Sequence, residues 1–406
     1  MREELFHLLL FLAISLLAFQ RANLPDFYEK HVYVKGTVVG DVQVEEGYTL
    51  TKIRVEESEI EEIEGRKALL KVFGYPPFRS NRLELLGNVS VRNNRVYIWA
   101  SSREVRFLPE EKGVRDFLIE RYIRTSKDKE ATALGLSFLF GEPREFLPSE
   151  VQRSFLSTGL VHLLVVSGLH VGTVALTLSY MLPKLWGLRL SLVGVILYVL
   201  FVVPHEPPVL RAGIMISLVI LSILSFRQPN TLSILLFSGS VILLLYPHYL
   251  FSYSFWLSFM ATAYIILTLH DLEGSWGFKT LLASLSAFTG VSPLVGTFSY
   301  LSPLSVLLTP ILAPIVLIYA LLGVLSLFTA MSFPPFVDLF NLWGRLFEGV
   351  VSFSSHLSLH LYPSVSSGEA WLLSISGLVL IYFTKGAWKL LPLLFINGWL
   401  LLRTLA

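Results

Sequence analysis

The distribution of apolar and charged residues divides this chain into two parts that need different surroundings. From residue 132 to the end, apolar runs are separated only by short polar breaks, whereas residues 21–130 read like a soluble domain and carry well over half of the charges. Only 15% of the chain is charged, against about 25% in soluble domains. These two regimes predict a polytopic α-helical membrane protein with a small soluble domain near its N-terminus.

The N-terminal apolar run, His7 to Phe19, has the length of a signal-peptide core. The residues before it, Arg2-Glu3-Glu4, are not clearly basic, and no small-x-small cleavage site follows it. We therefore predict an uncleaved transmembrane anchor within residues 1–20.

Residues 28–108 contain short runs in which apolar and polar residues alternate, a pattern typical of strands. Such runs begin at His31, Tyr48 and Arg95, and breaks such as the one at Gly74 separate them. Several short strands with turn signals indicate a small barrel or sandwich. A five-stranded barrel of the OB type fits the size, although the pattern alone leaves other small β folds open.

Charge is polarised within this β region. Glu45 to Glu64 is strongly acidic, whereas Arg66 to Arg106 is basic and contains interleaved aromatic residues. A basic groove with stacking rings can hold single-stranded nucleic acid without sequence preference. A solvated face opposite core aromatics explains the same pattern, and the residues alone favour it. The candidate DNA-binding residues are Arg66, Lys67, Lys71, Arg79, Arg82, Arg95, Tyr97 and Trp99.

Residues 109–131 are predicted to form a charged helical linker, and residues 132–406 a polytopic domain. A membrane span needs roughly 20 apolar residues. The candidate spans are 132–141 with 150–166 (short or re-entrant), 169–186, 188–204, 209–226, 231–246, 251–269, 279–300, 303–331, 371–384 and 387–403.

A different pattern occupies about residues 336–360. Apolar residues there alternate at helical spacing with polar ones such as Asn341 and Arg345. This predicts an amphipathic helix that lies in the membrane interface. His356 and His360 are four residues apart on it, and without a third ligand an interface position is favoured over a metal site.

The short loops predict the orientation. Lys184 with Arg189, then Arg227, then Lys279 occupy loops that alternate with loops lacking Lys and Arg. Because basic loops stay in the cytoplasm, the β domain is predicted to be extracytoplasmic.

Absent residues and motifs exclude several chemistries. The chain has no cysteine, which excludes disulfides, a Cys-based zinc site and a Cys nucleophile. It has no His-x-His-x-Asp-His run and no Gly-x-x-x-x-Gly-Lys-Ser/Thr loop. We expect no cofactor and no metal.

The most unusual stretch is Gly159 to Gly172, GLVHLLVVSGLHVG, in which His162 and His170 flank a break at Ser167. Ser167 and His170 could be the nucleophile and base of a membrane-embedded hydrolase, but no third group lies nearby. The two histidines could bind metal, but no carboxylate is close. We favour the third interpretation, polar packing or pore-lining residues.

Two further segments are candidates. Arg211 lies at the start of an apolar helix, either as a snorkelling arginine or as a fixed charge at a pore mouth that meets phosphates. Phe251 to Phe259 is an aromatic and hydroxyl stripe, explained by an interface belt or by bases stacking in transit. A small-solute transporter would need paired acidic residues within the spans, and few are present. The pore candidates are His162, Ser167, Gly168, His170, Gly172, Arg211, Phe255, Trp256 and Ser258.

The stretch from Gly159 to Gly172 is similar to the signature of the ComEC competence proteins, inner-membrane channels that carry single-stranded DNA into bacteria during natural transformation. The β region resembles the family's external OB-type domain in position and length. Further segments resemble the family in the same order and spacing, namely Ala133 to Glu142, Phe155, Pro207 to Met215, Phe251 to Met260 and Ser299 to Leu304.

The resemblance implies that the chain translocates single-stranded DNA across the cytoplasmic membrane, with the Ser167-Gly168 break and Arg211 as pore elements. It makes the basic and aromatic β region a DNA-receiving face. The implied partners are the lipid bilayer, an external DNA-receptor protein, a cytoplasmic helicase-like motor and single-strand-binding proteins.

The sequence departs from the family pattern at two points. Family members often end in a metallo-β-lactamase-like domain associated with degradation of the non-transported strand. This chain reaches Ala406 soon after the last predicted span. We therefore expect a channel rather than an enzyme, with any nuclease on a separate protein. The asparagine that often follows the family's Ser-Pro-Leu element is Val306 here, which puts any role of that residue in doubt.

Overall fold

The computed structural model describes residues 2–39, 42–45, 47–74, 82–108, 113–141, 147–181 and 183–405. The chain forms two compact units. The β unit comprises Leu12–Gly113 and Leu243–Phe251. The helical unit comprises Met1–Phe11, Val114–Ile242 and Ser252–Ala406.

In its described residues the β unit forms seven strands. They are β1 (Phe27–Val38), β2 (Gln43–Glu45), β3 (Tyr48–Ser58), β4 (Lys67–Phe73), β5 (Arg82–Arg92), β6 (Arg95–Ser101) and β7 (Val105–Phe107), with a 3₁₀ turn at Glu61–Ile63.

Five of these strands close into a barrel in the order β1-β3-β4-β6-β5, because β5 pairs with β1 as well as with β6. Strands β4 and β6 are parallel, and the other neighbours in the barrel are antiparallel. Alternate side chains point inward. They form a core that includes Val34, Ile53, Leu70, Val89 and Ile98. The predicted small barrel is therefore confirmed.

Closure depends on the bending of β1, which pairs with two neighbours. Its register shifts between Glu29 and Val32 and again between Lys35 and Gly36. Such bulges bend a strand and increase its twist. A Cβ at Gly36 would lie 2.6 Å from the Arg54 carbonyl oxygen, so only glycine allows this close approach.

Helix α1 (Arg2–Ala22) precedes the barrel in the sequence, and the described residues after the barrel form fourteen more α-helices. They are α2 (Val114–Thr125), α3 (Lys129–Gly135, continued by a π turn at Leu136–Phe140), α4 (Ser149–Ser157), α5 (Val161–Leu164), α6 (Gly168–Met181), α7 (Lys184–Phe201), α8 (Pro207–Leu224), α9 (Thr231–Leu245), α10 (Tyr253–Leu269), α11 (Trp276–Val295), α12 (Leu304–Phe328), α13 (Pro334–Ser355), α14 (Ser367–Phe383) and α15 (Leu390–Leu405).

Among the described residues, five helices are long and apolar enough to cross a membrane, namely α1, α7, α8, α11 and α12, and α9, α10 and α14 are shorter apolar helices. The predicted run 150–166 is not one helix. It contains the short helices α4 and α5, separated by Gly159 in the left-handed conformation (φ +73°).

Two groups of packed helices form a large part of the helical unit. Helices α6, α7 and α8 pack together and against α12, whereas α10, α11, α14 and α15 form the second group. Contacts of α8 with α10 and of α11 with α12 join the groups.

The predicted amphipathic helix is α13, and its apolar face packs against other helices. Phe340 and Phe347 are fully buried, and their rings contact those of Tyr319 and Phe138. Leu342 and other apolar residues remain exposed on the helix. The position of α13 in a membrane interface stays a prediction.

Candidate functional site

One outer face of the barrel carries aromatic rings and cations together. Because alternate strand residues point outward, Lys71 on β4 is aligned with Trp99 on β6, and Phe73 with Tyr48 on β3. Tyr97 lies two residues before Trp99 on the same side of β6. We call this surface the aromatic–cation face; it comprises Tyr48, Lys67, Lys71, Phe73, Arg92, Arg95, Tyr97 and Trp99.

The rings on this face are already ordered against each other and against a cation. The Lys71 ammonium lies 3.6 Å from the centroid of the Tyr48 ring and 5.2 Å from that of Phe73. The rings of Tyr97 and Trp99 are stacked, with centroids 6.3 Å apart and planes at 16°. A flat aromatic surface beside positive charge suits the faces of unpaired bases and their phosphates.

An open groove of about 620 Å³ runs along this face, lined by Arg92, Asn93, Arg95, Tyr97 and Trp99. Arg92 and Arg95 are exposed and pair in register across β5 and β6. Within the described residues, no carboxylate forms an ion pair with either arginine. The groove therefore presents two uncompensated positive charges next to two stacked rings.

The predicted DNA-binding residues separate into two sets. Lys67, Lys71, Arg95, Tyr97 and Trp99 lie on the aromatic–cation face. The others do not join it in the described part of the chain: Arg66 and Arg82 lie elsewhere, and Arg79 lies outside the described residues.

Arg66 is a structural residue of the barrel. It is 7% exposed, and its guanidinium donates hydrogen bonds to the Ala22 carbonyl (2.5 Å) and to Asn94 Oδ1 (3.0 Å). Burial lowers the pKa of Arg66 from its ordinary value. Arg82 forms an ion pair with Glu56 at 3.0 Å.

In the helical unit, the break at Ser167 is the start of helix α6. The Ser167 carbonyl accepts hydrogen bonds from the amides of His170 (3.1 Å) and Val171 (3.4 Å). A second hydrogen bond joins the same two residues: the Ser167 amide donates to Nδ1 of the His170 ring at 3.1 Å. The bond from the Ser167 amide to the His170 ring corresponds to one half of a capping box, with histidine in place of the usual glutamate.

Ser167 and His170 are also the candidate nucleophile and base of the hydrolase interpretation. Ser167 Oγ lies 3.4 Å from His170 Nδ1, the nitrogen that already accepts the Ser167 amide. His170 is 2% exposed, and its Nε2 has no partner in the described part of the chain. A triad needs a third group that orients the base, and none is found there among the described residues. The observed contacts are those of a helix cap.

Arg211 joins the start of α6 to two other helices. Its Nη1 donates to the Ser258 carbonyl of α10 at 2.8 Å. A Cβ at Gly168 would lie 3.4 Å from Arg211 Nη2 and 3.4 Å from the Ala212 side chain. Five of the predicted pore residues therefore meet at one place, which we call the α6 junction; they are Ser167, Gly168, His170, Arg211 and Ser258.

The other pore candidates lie away from this junction. His162 is exposed, and its Nδ1 is 3.1 Å from the Gly159 carbonyl. Gly172 lies a turn into α6, with the Ile216 side chain 4.0 Å from where its Cβ would be. Two candidates from the aromatic stripe pack against other rings: Phe255 is fully buried and stacks on Phe259, and Trp256 packs edge-on against Trp371.

Two of the segments singled out in the sequence contact each other at Gly159. A Cβ at this position would lie 3.2 Å from the Cβ atoms of both Ser302 and Ser305. The positive φ of Gly159 and this close approach together require glycine. The turn before α5 thus lies against the start of α12.

A third cluster was not predicted from the sequence. On α13, the Arg345 guanidinium forms a bidentate pair with Asp128 (2.9 and 2.7 Å) and also contacts Glu130 (2.5 Å) and Glu348 (3.7 Å). Hydrogen bonding from Arg345 lowers the pKa of Asp128, and the two carboxylates at residues 128 and 130 raise that of Arg345. We call this cluster the Arg345 clamp.

A buried polar network lies beside the Arg345 clamp. The Tyr122 hydroxyl, which is fully buried, donates to Asn341 Oδ1 at 2.6 Å, and Asn341 Nδ2 donates to Ser126 Oγ at 2.7 Å. These bonds tie α2 and the loop after it to α13. The polar positions of the amphipathic pattern, Asn341 and Arg345, were the available signal.

No group of three or more His, Asp or Glu side chains in the described part of the chain is placed to hold a metal ion. The geometry thus offers two sites of interest, the exposed aromatic–cation face in the β unit and the α6 junction in the helical unit.

The fold and these sites define a class: a mostly helical protein with several helices long enough to cross a membrane and a small N-terminal barrel. A family model described as "Competence protein" matches residues 138–391. The chain belongs to this family of competence proteins.

Two relatives extend the comparison. An "Uncharacterized protein" of Aquifex aeolicus (strain VF5) is 48% identical over 399 residues, covering 98% of this chain and 96% of its own length. "ComE operon protein 3" of Bacillus subtilis (strain 168) is 33% identical over 204 residues, 47% of this chain and 26% of that protein. No solved structure matches the chain.

Proposed function

We propose that this chain is a multi-pass channel of the cytoplasmic membrane that passes single-stranded DNA during natural transformation, with the barrel as an extracytoplasmic DNA-receiving domain. Membership of the competence family supports a role in DNA uptake. The five long apolar helices support a multi-pass arrangement. In this proposal the chain is a channel and not an enzyme.

The observation that carries the proposal is the aromatic–cation face. A closed five-stranded barrel in the order β1-β3-β4-β6-β5 is consistent with an OB-type fold, a common platform for oligonucleotides. Two stacked rings beside uncompensated arginines favour a single strand, because a duplex keeps its base faces hidden. The partners we propose are an external DNA-receptor protein, a cytoplasmic helicase-like motor, single-strand-binding proteins and a separate nuclease.

The first test is DNA binding by the full chain purified in detergent. We expect a fluorescent oligo-dT of about 20 nucleotides to bind more tightly than a duplex of the same length. Trp99→Leu removes one stacking ring and should weaken oligo-dT binding by about 1 to 3 kcal/mol. Trp99→Phe is the matched control, because it keeps a ring at this position, and it should bind nearly as well as the unaltered chain.

Two results would count against this function. Equal affinity for the oligonucleotide and the duplex would remove the argument for a single strand. Unchanged affinity in Trp99→Leu would show that the aromatic–cation face does not contact DNA.

A further inference from the structure

The α6 junction has hydrogen-bond donors and positive charge without matching acceptors. Arg211 Nη1 is bonded to the Ser258 carbonyl, but its Nε is buried without a partner. In the described part of the chain, no carboxylate lies within ion-pair distance of this guanidinium. A charge inside an apolar helical unit is costly unless a group of opposite sign accompanies it.

The first turn of α6 adds further donors at the same place. Its first intrahelical acceptor, the Ser167 carbonyl, is taken by His170 and Val171. The amides of Gly168 and Leu169 come before the first intrahelical hydrogen bonds. Within the described residues, neither amide donates a hydrogen bond. A helix N-terminus also carries roughly half a positive charge. The positive charge of Arg211 and the positive end of the α6 dipole therefore lie together at this junction.

The Arg211 guanidinium lies beside this helix start, within van der Waals distance of position 168. A Cβ there would already stand 3.4 Å from Arg211 Nη2. The side chain of Arg211 is therefore placed so that a group bound to the first amides of α6 could also contact its unpaired nitrogens.

We propose that the α6 junction binds a phosphate-type oxyanion, held by Nε and Nη2 of Arg211 and by the first amides of α6. A guanidinium fork and a helix N-terminus are two recognised ways of binding phosphate, and here they converge. Arg211 alone supplies a full charge, so retention is modest, as passage of a polyanion requires. If the proposed function holds, the natural ligand is a backbone phosphodiester of the transported strand.

The test uses the full chain in nanodiscs of phosphatidylcholine and inorganic pyrophosphate as the probe, measured by isothermal titration calorimetry. We expect saturable binding, weakened at least about tenfold in Arg211→Gln through loss of a charge-assisted contact. Arg211→Lys keeps the charge without the fork and should bind with intermediate affinity. Arg227→Gln removes an exposed arginine just beyond the end of α8 and is the matched control.

Absence of saturable binding, or equal binding by Arg211→Gln and the unaltered chain, would overturn the site. Arg211→Lys distinguishes loss of the site from misfolding. If Arg211→Gln loses binding only because it does not fold, Arg211→Lys should still bind pyrophosphate. Two competition arms identify the source of the phosphate. Displacement of pyrophosphate by oligo-dT supports a DNA phosphodiester. If oligo-dT does not displace pyrophosphate but phosphatidylglycerol in the nanodisc does, the source of the phosphate is a lipid headgroup. Pyrophosphate binding through Arg211 together with normal DNA uptake in a deletion strain would reject the proposed function but not the site.

Discussion

Two arginines in the helical unit have opposite surroundings. Arg345 on α13 contacts Asp128, Glu130 and Glu348, so its charge is matched and its donors are used. Arg211 on α8 has a backbone carbonyl and, among the described residues, no carboxylate. A matched arginine ties helices together, whereas an unmatched one adds an electrostatic cost that a binding role would explain. This contrast separates the stabilising residues of the unit from its candidate functional ones.

The largest effect expected from this contrast is on DNA uptake. Arg211→Gln should lower uptake at least about tenfold, since it removes a charge-assisted contact to phosphate, while the amount of protein in the membrane stays the same. The measurement is uptake of labelled DNA alongside immunoblotting of membranes. Arg227→Gln should stay near the unaltered level. Normal uptake in Arg211→Gln would remove this residue from the DNA path.

The second effect is on stability and has the opposite pattern. Arg345→Met breaks the Arg345 clamp and should cost about 1 to 2 kcal/mol, because the clamp is bidentate but partly exposed to solvent. The apparent melting midpoint of the detergent-purified chain is the readout. Arg124→Met is the matched control: Arg124 pairs with Glu120 on an exposed helix face at 3.6 Å, and its loss should cost less than about 0.5 kcal/mol.

Arg211→Met tests the effect of the unmatched arginine on the melting midpoint. Replacing an unmatched, partly buried cation with an apolar side chain of similar length should leave the melting midpoint unchanged or raise it. A midpoint for Arg211→Met below that of Arg345→Met would contradict the distinction between the two arginines.

A smaller effect is expected on the pH dependence of stability. Because Arg345 lowers the pKa of Asp128 in the folded chain, the stabilisation is complete above the ordinary aspartate pKa of about 3.9 and is lost as the pH falls through the lowered value. The difference in melting midpoint between the unaltered chain and Asp128→Asn should therefore be constant near neutral pH and shrink below about pH 4. In an Arg345→Met background, Asp128→Asn should show much less of this difference at any pH.

The smallest effect concerns the β unit. Lys71→Gln should weaken oligo-dT binding uniformly and reduce the slope of log affinity against log salt by about 0.7, the value for one phosphate contact on a single strand. Arg106→Gln on β7 is the control, since that arginine is exposed but lies off the aromatic–cation face, beside Glu84. Equal salt slopes for Lys71→Gln and the unaltered chain would place Lys71 away from the DNA.

Local patterns predicted the elements of this fold well. The alternation after Tyr48 and Arg95 corresponds to β3 and β6, and the apolar runs correspond to helices such as α8 and α12. These signals depend on neighbouring residues and on their period, which the sequence displays directly. Barrel closure could not be read in the same way, because the parallel pairing of β4 with β6 joins strands that are not consecutive.

The site residues were predicted less completely, and the reason is again distance along the chain. Residue type suggested a surface role for Arg66, but its partner Ala22 lies 44 residues away and buries it. The Arg345 clamp joins residues 217 positions apart, so neither half indicated the other. Ser167, Gly168 and His170 were recognised because they are adjacent, although their role as a helix cap required the hydrogen-bond geometry.

The most direct test of the proposed function is transformation of a strain that lacks this gene, with labelled DNA scored separately as bound outside the cell and as present in the cytoplasm. We predict that the deletion strain still binds DNA but that none enters, and that the unaltered gene restores entry. Unchanged entry in the deletion strain would contradict the claim that this chain is the channel.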